Sequence, residues 1–320
     1  MITFENVTKK YEDGTIAVDG VDLKINEGEF FVIIGPSGSG KTTLLKMINR
    51  LIALSDGTVR MHGKKISEYN LYELRWDIGY VLQQIALFPH MTIEENIEIV
   101  PELMKWPAKK MKSRANELMT MVGLEPEKYA SRKPHELSGG EQQRVGVIRA
   151  LAADPKIILM DEPFSALDPI SREKLQDDLL ELKKQLKKTT VFVTHDREEA
   201  FKLADRICIM KDGKVVQVGT PEELLKHPVN EFVFTFLGGD RQKETKPFKL
   251  ETIMQPMNKE IKMDDIRLPY TASLEEVVHI LFENDALLIE KEDKIIGMID
   301  RSKLLLYLAE NTEERGNQHE

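Results

Sequence analysis

LSGGEQQR, residues Leu137 to Arg144, stands between two other distinctive stretches of the chain. Before it comes GPSGSGKTT (Gly35 to Thr43), and after it IILMDEP (Ile157 to Pro163). The first obeys the G-x-x-x-x-G-K-[ST] pattern, with Gly35, Gly40, Lys41 and Thr42 at the required positions. Glycines let the backbone wrap an anion closely, so that its N–H groups and the start of the following helix point at phosphates. The pattern follows an apolar run, FFVII, and opens a helical one, TTLLKMINRL, which is the strand–loop–helix setting it needs. Lys41 adds a mobile positive charge for the β- and γ-phosphates, and the Thr42 hydroxyl is placed to ligate magnesium. Asp161 and Glu162 end the second apolar run. Two adjacent carboxylates there repel unless a cation or a working role offsets the cost; in another setting such a pair is a helix cap or a solvated turn.

The surrounding composition is that of an ordinary globular protein, 41% hydrophobic and 31% charged, with mean hydropathy −0.33. No apolar run approaches the roughly 20 residues of a membrane-spanning helix. MITFENVTKKYEDG lacks the features of a secretory signal, so the expected location is the cytoplasm. The net charge of −9, with no basic patch or arm, argues against nucleic acid as a partner. A single cysteine, Cys208 in the run RICIM, reads as a small buried hydrophobe.

FFVIIG (30–35), KIILMDE (156–162) and TTVFVTH (189–195) are continuously apolar, as strands of a parallel sheet covered on both faces are. ITFENVTKKY and AVDGVDLKI read instead as half-exposed antiparallel strands. ICIMKDGKVVQVG carries Asp212-Gly213 between two apolar runs, a tight-hairpin signal. Ser171 to Lys188 predicts an amphipathic helix with Leu175, Leu179, Leu182 and Leu186 on one stripe. Residues 238–249, GGDRQKETKPFK, read as a linker. Beyond it, 250–310 predict a second unit: TIMQPMNKEI, a helix SLEEVVHILFEND opened by a Ser273/Glu276 capping box, a strand pair LLIEKEDKIIGMI and a last helix SKLLLYLAE. The polar tail, 311–320, is expected to be disordered.

LSGG between a phosphate loop and an Asp-Glu strand end resembles the nucleotide-binding subunits of the ABC ATPases. The resemblance is dense over residues 1–237 and implies an α/β fold: a parallel-core sheet with an antiparallel N-terminal sheet and a helical subdomain. It implies that Gly35, Pro36, Ser37, Gly38, Ser39, Gly40, Lys41, Thr42 and Thr43 cradle ATP, and that magnesium is held by Thr42, Gln83 and Asp161. Glu162 takes the general-base role and His195 organises the attacking water at the γ-phosphate. Gln84 is the alternative to Gln83 should the register shift by one. Tyr11 falls where an aromatic stacks on adenine, although core or rim packing is the other reading. Ser138, Gly139, Gly140 and Glu141, with Asp168 of the SALD loop (165–168), would meet the ATP held by a second copy. A homodimer with two sandwiched ATP molecules follows from the resemblance.

With one ATPase unit and no membrane helix, the chain looks most like the separate ATPase subunit of a bacterial importer. It would lie at the cytoplasmic face of the membrane on an integral-membrane permease subunit and be served indirectly by a substrate-binding protein. GPSGSGKTTLLKMINRL, LFPHMTIEENI, LSGGEQQRVGVIRALAADP and DEPFSALDPISR resemble the osmoprotectant, quaternary-amine group, whose cargoes are glycine betaine, carnitine and choline. A thiol-histidine betaine, a bile salt, an amino acid, or a soluble regulator with no transport partner stay open alternatives. Residues 250–310 resemble a single α+β CBS module, regulatory or merely dimer-stabilising. Asp300 and Lys303 stand where such modules carry the Thr and Asp that hold a ribose.

Overall fold

The computed structural model describes residues 1–238, 250, 253–255, 266–272, 274–291 and 294–307. Contacts divide the chain into two units, Met1–Gly239 and Asp240–Glu320.

In the first unit, β1 (Ile2–Lys10) pairs antiparallel with β2 (Ile16–Ile25), and β3 (Phe30–Ile34) leads through the glycine loop into α1 (Lys41–Ile48). Next, β4 (Asp56–Met61) and β5 (Lys64–Lys65) complete a four-stranded sheet of order β2-β1-β4-β5. α2 (Leu71–Trp76) precedes β6 (Ile78–Val81). A helical stretch follows, made of α3 (Ile93–Leu103), α4 (Ala108–Met121), α5 (Pro126–Tyr129) and α6 (Gly139–Leu151). The chain then returns through β7 (Ile157–Asp161), α7 (Pro169–Leu186), β8 (Thr189–Val193) and α8 (Arg197–Leu203). It finishes with the hairpin β9 (Arg206–Lys211) and β10 (Lys214–Gly219), then α9 (Pro221–Lys226) and α10 (Glu231–Phe236).

The second sheet has the order β10-β9-β3-β8-β7-β6, parallel from β9 to β6. β3, β7 and β8 are buried at every position, because both faces are covered. Strand alternation then sorts one apolar run into two cores. Phe30, Val32 and Ile34 join Met160 and Phe192 against the helices, while Phe31 and Ile33 join Leu159 and Val191 against the first sheet and α1. Each fully buried aromatic in this layer, such as Phe31 or Phe192, contributes about 2–3 kcal/mol. Parallel pairing also brings the carboxyl ends of β3, β7 and β8 to one edge, where strand-end residues of an α/β sheet meet ligands. Gly35, Glu162 and Thr194 follow these three strands directly.

The hairpin turn falls at Asp212 (φ 49) and Gly213 (φ 78), two consecutive left-handed residues as a two-residue loop demands. The long amphipathic helix starts two residues before the expected Ser171. Asp168 caps it and Pro169 takes its first position, a start signal with fixed φ. Its stripe is as expected, with Leu175, Leu179 and Leu182 buried, and it ends at Leu186, two residues short of Lys188, with Lys187 (φ 47) as a left-handed cap.

The second unit holds a three-stranded sheet of β11 (Arg267–Pro269), β12 (Ala286–Lys291) and β13 (Lys294–Asp300), with α11 (Leu274–Glu283) preceding β12. β11 runs parallel to β12, and β12 antiparallel to β13. Val277, Leu281, Leu287, Ile289, Ile299 and Leu304 form its small core. β11 is an element the sequence pattern does not announce: three residues ending on a proline are too few to display alternation. The stretch TIMQPMNKEI lies mostly outside the described residues; within them, Gln255 makes a single bridge to Met298. Ser273 of the expected capping box, most of the expected linker and the tail also lie outside them. The closing helix covers 301–307 in the described residues, with the Lys303 amide donating to Asp300 Oδ1 at 2.8 Å. Asp300 is thus occupied as a helix cap.

Candidate functional site

A cavity of about 680 Å³ opens at the strand-end edge, lined by Ala17, Ser37 to Thr43, Gln83, Glu162 and His195. Its floor is the start of α1. Gly40, at φ 95, is the residue before that helix and offers no side-chain cap, so the first N–H groups of α1 are left facing the cavity. A side chain at Gly40 is excluded twice: the backbone is left-handed, and a Cβ would stand 2.1 Å from the Ala17 carbonyl oxygen. Lys41 Nζ donates to the carbonyls of Gly35 and Pro36, both at 2.9 Å, which folds the ammonium into its own loop. Burial pushes the Lys41 ammonium below the usual lysine range, against the opposing pull of Glu162 and Asp161.

Asp161 closes β7 and is 3% exposed. Its Oδ1 accepts from the Thr42 hydroxyl at 2.7 Å, while Oδ2 lies 3.5 Å from Lys46 Nζ and accepts from the Tyr80 hydroxyl at 3.4 Å. The Tyr80 hydroxyl is pushed well up, first by burial and then by the Asp161 charge. Sequence reasoning missed Ala17, Lys46 and Tyr80. A signal existed for Lys46, because residues four apart on a helix share a face and Lys46 follows Thr42 by one turn. Tyr80 reaches Asp161 only because β6 pairs with β7.

Glu162 has φ 44, a left-handed turn that a glutamate adopts at a cost of about 1–3 kcal/mol. Its amide donates to the Val193 carbonyl at 2.9 Å, which fastens the turn to β8. Two nitrogens converge on one carboxylate oxygen: Gln83 Nε2 donates to Glu162 Oε2 at 3.3 Å, and His195 Nδ1 lies 3.2 Å from the same atom. Gln83, not Gln84, is the glutamine in the cavity.

The other expected residues stand elsewhere. Tyr11 follows β1 directly, is 39% exposed with Lys9 Nζ 5.0 Å from its ring centre, and is absent from the cavity lining. Ser138 caps α6, where its hydroxyl accepts the Glu141 amide at 3.3 Å and Glu141 Oε2 accepts the Ser138 amide at 2.8 Å. Glu141 also accepts from the Tyr129 hydroxyl at 2.7 Å. Burial opposes the Glu141 charge, yet these hydrogen bonds hold its carboxyl below the usual range. Gly140 is packed so tightly that a Cβ would stand 2.8 Å from that of Ser171, whereas a Cβ on Gly139 would meet open space. Asp168 Oδ1 accepts the Ser171 amide at 3.0 Å as the cap of α7. None of Ser138, Gly139, Gly140, Glu141 and Asp168 lines the cavity of its own chain.

Three comparisons bear on this arrangement. The ABC transporter family profile matches residues 18–165. The chain is 50% identical over 307 residues to the glycine betaine/carnitine/choline transport ATP-binding protein OpuCA of Bacillus subtilis, covering 94% of this chain and 78% of that protein. It is 50% identical over 303 residues to the choline transport ATP-binding protein OpuBA of the same organism, again covering 94% and 78%. Among solved structures, a dimeric ATP-binding cassette in a post-hydrolysis state bound to ADP and Pi aligns at 41% identity with a TM-score of 0.62. That match covers 69% of this chain and 98% of the solved one.

Proposed function

The chain belongs to the ABC transporter ATP-binding proteins, and on that premise we propose that it is the ATP-hydrolysing subunit of an importer for quaternary-amine osmoprotectants such as glycine betaine, carnitine and choline. The observation that carries the hydrolytic half is the convergence of Gln83 and His195 on Glu162 Oε2, at the mouth of the cavity floored by Lys41 and the start of α1. The identity to OpuCA and OpuBA supports the cargo class.

The triphosphate lies along Gly35 to Thr43, drawn by the uncapped N–H groups of α1. Lys41 exchanges its two carbonyl partners for phosphate oxygens, a trade of neutral acceptors for charged ones. Glu162 Oε1 accepts a proton from the attacking water, while Gln83 and His195 fix the other oxygen and with it the carboxylate plane. Thr42, Asp161 and Gln83 suit magnesium. They offer hard oxygen ligands, the kind that magnesium takes. When bound, magnesium neutralises phosphate charge. Ser138, Gly139, Gly140, Glu141 and Asp168 complete the site of a second copy, so that two chains enclose two ATP molecules.

Among the described residues no helix is long and apolar enough to cross a membrane. In this reading the translocation path belongs to an integral-membrane permease subunit, and this chain sits against it at the cytoplasmic face. A substrate-binding protein acts through that permease. The 250–310 unit acts as a single CBS-like regulatory module. Deleting residues 245–320 is expected to alter the salt response of uptake, and an unchanged response removes the regulatory role.

Glu162→Gln is expected to lower ATP turnover at least 100-fold, about 3 kcal/mol of barrier, while size-exclusion chromatography with ATP still shows a dimer. Ordinary turnover by that variant overturns the assignment. For the cargo, the chain is reconstituted with its permease in proteoliposomes and offered labelled betaine, choline and carnitine. Failure of all three to enter in an ATP-dependent way refutes the cargo class.

A further inference from the structure

Beneath His195 lies a buried polar layer that the hydrolytic residues do not include. Thr194 is 2% exposed, and its hydroxyl donates to Glu199 Oε2 at 2.5 Å while accepting the Asp196 amide at 3.0 Å. Its own amide donates to the Ile33 carbonyl at 3.2 Å, at the end of β3. Asp196 Oδ1 in turn accepts the amides of Glu198 and Glu199 at 2.8 and 3.3 Å, capping α8. Its Oδ2 lies 3.8 Å from Arg172 of α7, and Arg172 donates to the Leu167 carbonyl at 3.4 Å, within the SALD loop.

The ring of His195 has no comparable support. Its side chain is 62% exposed, and its polar contact is Glu162 Oε2. Packing does not hold such a ring, so the backbone on either side of it fixes where it points. Both flanking residues, Thr194 and Asp196, are tied together by one hydroxyl whose donor hydrogen is spent on Glu199. Glu199 itself is 5% exposed. Burial pushes its carboxyl up, while the Thr194 hydrogen bond and the nearby Arg172 charge pull it down. A carboxyl kept in so unfavourable a place is costly unless its acceptor does something an apolar side chain cannot.

We propose that Glu199 is a positioning residue for hydrolysis: through Thr194 it locks the strand end so that His195 reaches the carboxylate of Glu162. Glu199 is not among the residues that line the cavity. The inference rests on the role given above to His195 and Glu162. It also connects that role to Arg172 and the loop 165–168, on which a second copy is proposed to sit.

The test is steady-state ATPase kinetics on the full chain with Glu199→Ala, Glu199→Gln, Thr194→Val and Thr194→Ser, in the native and His195→Ala backgrounds. Glu199→Ala and Thr194→Val are expected to lower kcat about 10-fold with KM for ATP within about 2-fold, because binding groups are untouched. Glu199→Gln and Thr194→Ser keep an acceptor and a hydroxyl, and are expected to stay within about 3-fold of native turnover. On top of His195→Ala, Glu199→Ala is expected to cost nothing more, since the group being positioned is gone. An additive loss in that background, or an equal loss from Gln and Ala, overturns the proposal. If Glu199→Ala does not fold, the Thr194→Val and Thr194→Ser pair decides by the same criteria. Native turnover by His195→Ala itself would sink the role of His195, a different result from an additive Glu199 loss.

Discussion

Two glycine-rich helix starts in this chain are built in opposite ways. α1 begins at Gly40 with no side-chain cap, and its free N–H groups open into a cavity beside Lys41. α6 begins at Ser138 with a complete capping box, in which the Ser138 hydroxyl accepts the Glu141 amide and the Glu141 carboxylate accepts the Ser138 amide. The first offers its amides to an anion within one copy. The second is capped in part by its own side chains, and the box does not use the amides of Gly139 and Gly140, the small residues proposed to meet the nucleotide of another copy. The glycines divide in the same way. Gly40 and Gly140 are required by their own chain, which crowds each of them, whereas nothing among the described residues crowds Gly139. A glycine that its own fold does not demand fits an approach from outside.

Substitutions can break or sharpen this contrast. The largest effect is expected from Lys41→Ala, which removes the charge from the open helix start: ATP affinity measured by fluorescent-nucleotide titration falls roughly 100-fold, close to 3 kcal/mol. Affinity within a few-fold of native would mean that α1 alone supplies the phosphate site. Next comes Gly140→Ala, where the new Cβ collides with Ser171. Chemical denaturation is expected to register a loss of about 1–3 kcal/mol, and an unchanged midpoint would contradict the packing of α6 on α7. Ser138→Ala costs about 1 kcal/mol of stability as a lost cap. Combined with Glu141→Ala it is expected to fall short of the sum of the two single losses, because both side chains serve one box; strict additivity would show that they act apart. The smallest stability change belongs to Gly139→Ala, neutral or stabilising by up to about 1 kcal/mol since alanine favours helix. Turnover by that variant is nevertheless expected to drop about 10-fold, with single-copy ATP affinity intact, through the closer approach it denies a second nucleotide. Native turnover there removes the reason for a glycine at 139.

The contiguous parts of the site were legible in the sequence because a phosphate is gripped by successive backbone amides, so the loop from Gly35 to Thr43 has to appear as one stretch. The acidic pair was legible for a related reason: Asp161 and Glu162 end an unbroken apolar run, and such runs are strands buried on both faces. What the sequence hid is what strand order supplies. Ala17, Lys46 and Tyr80 reach the site from β2, α1 and β6, and neither spacing nor charge marks Ala17 or Tyr80 as neighbours of the loop or of Asp161. β11 escaped because three residues display no period. The polar layer under His195 escaped because Thr194 and Glu199 read as ordinary residues of a strand end and a helix start.

The sequence by itself determined the class of fold and the chemistry: apolar runs with glycine and acidic punctuation specify a parallel sheet whose strand ends handle phosphate. Only the tertiary structure decided which atoms meet. It turned Gln83 and His195 onto one oxygen of Glu162, chose Gln83 over Gln84, and kept the LSGG segment outside the cavity of its own chain. The physical reason is that local propensity acts over a few residues, whereas these contacts join β6, β7 and β8, whose side-by-side order is set by burying two faces of one sheet at once.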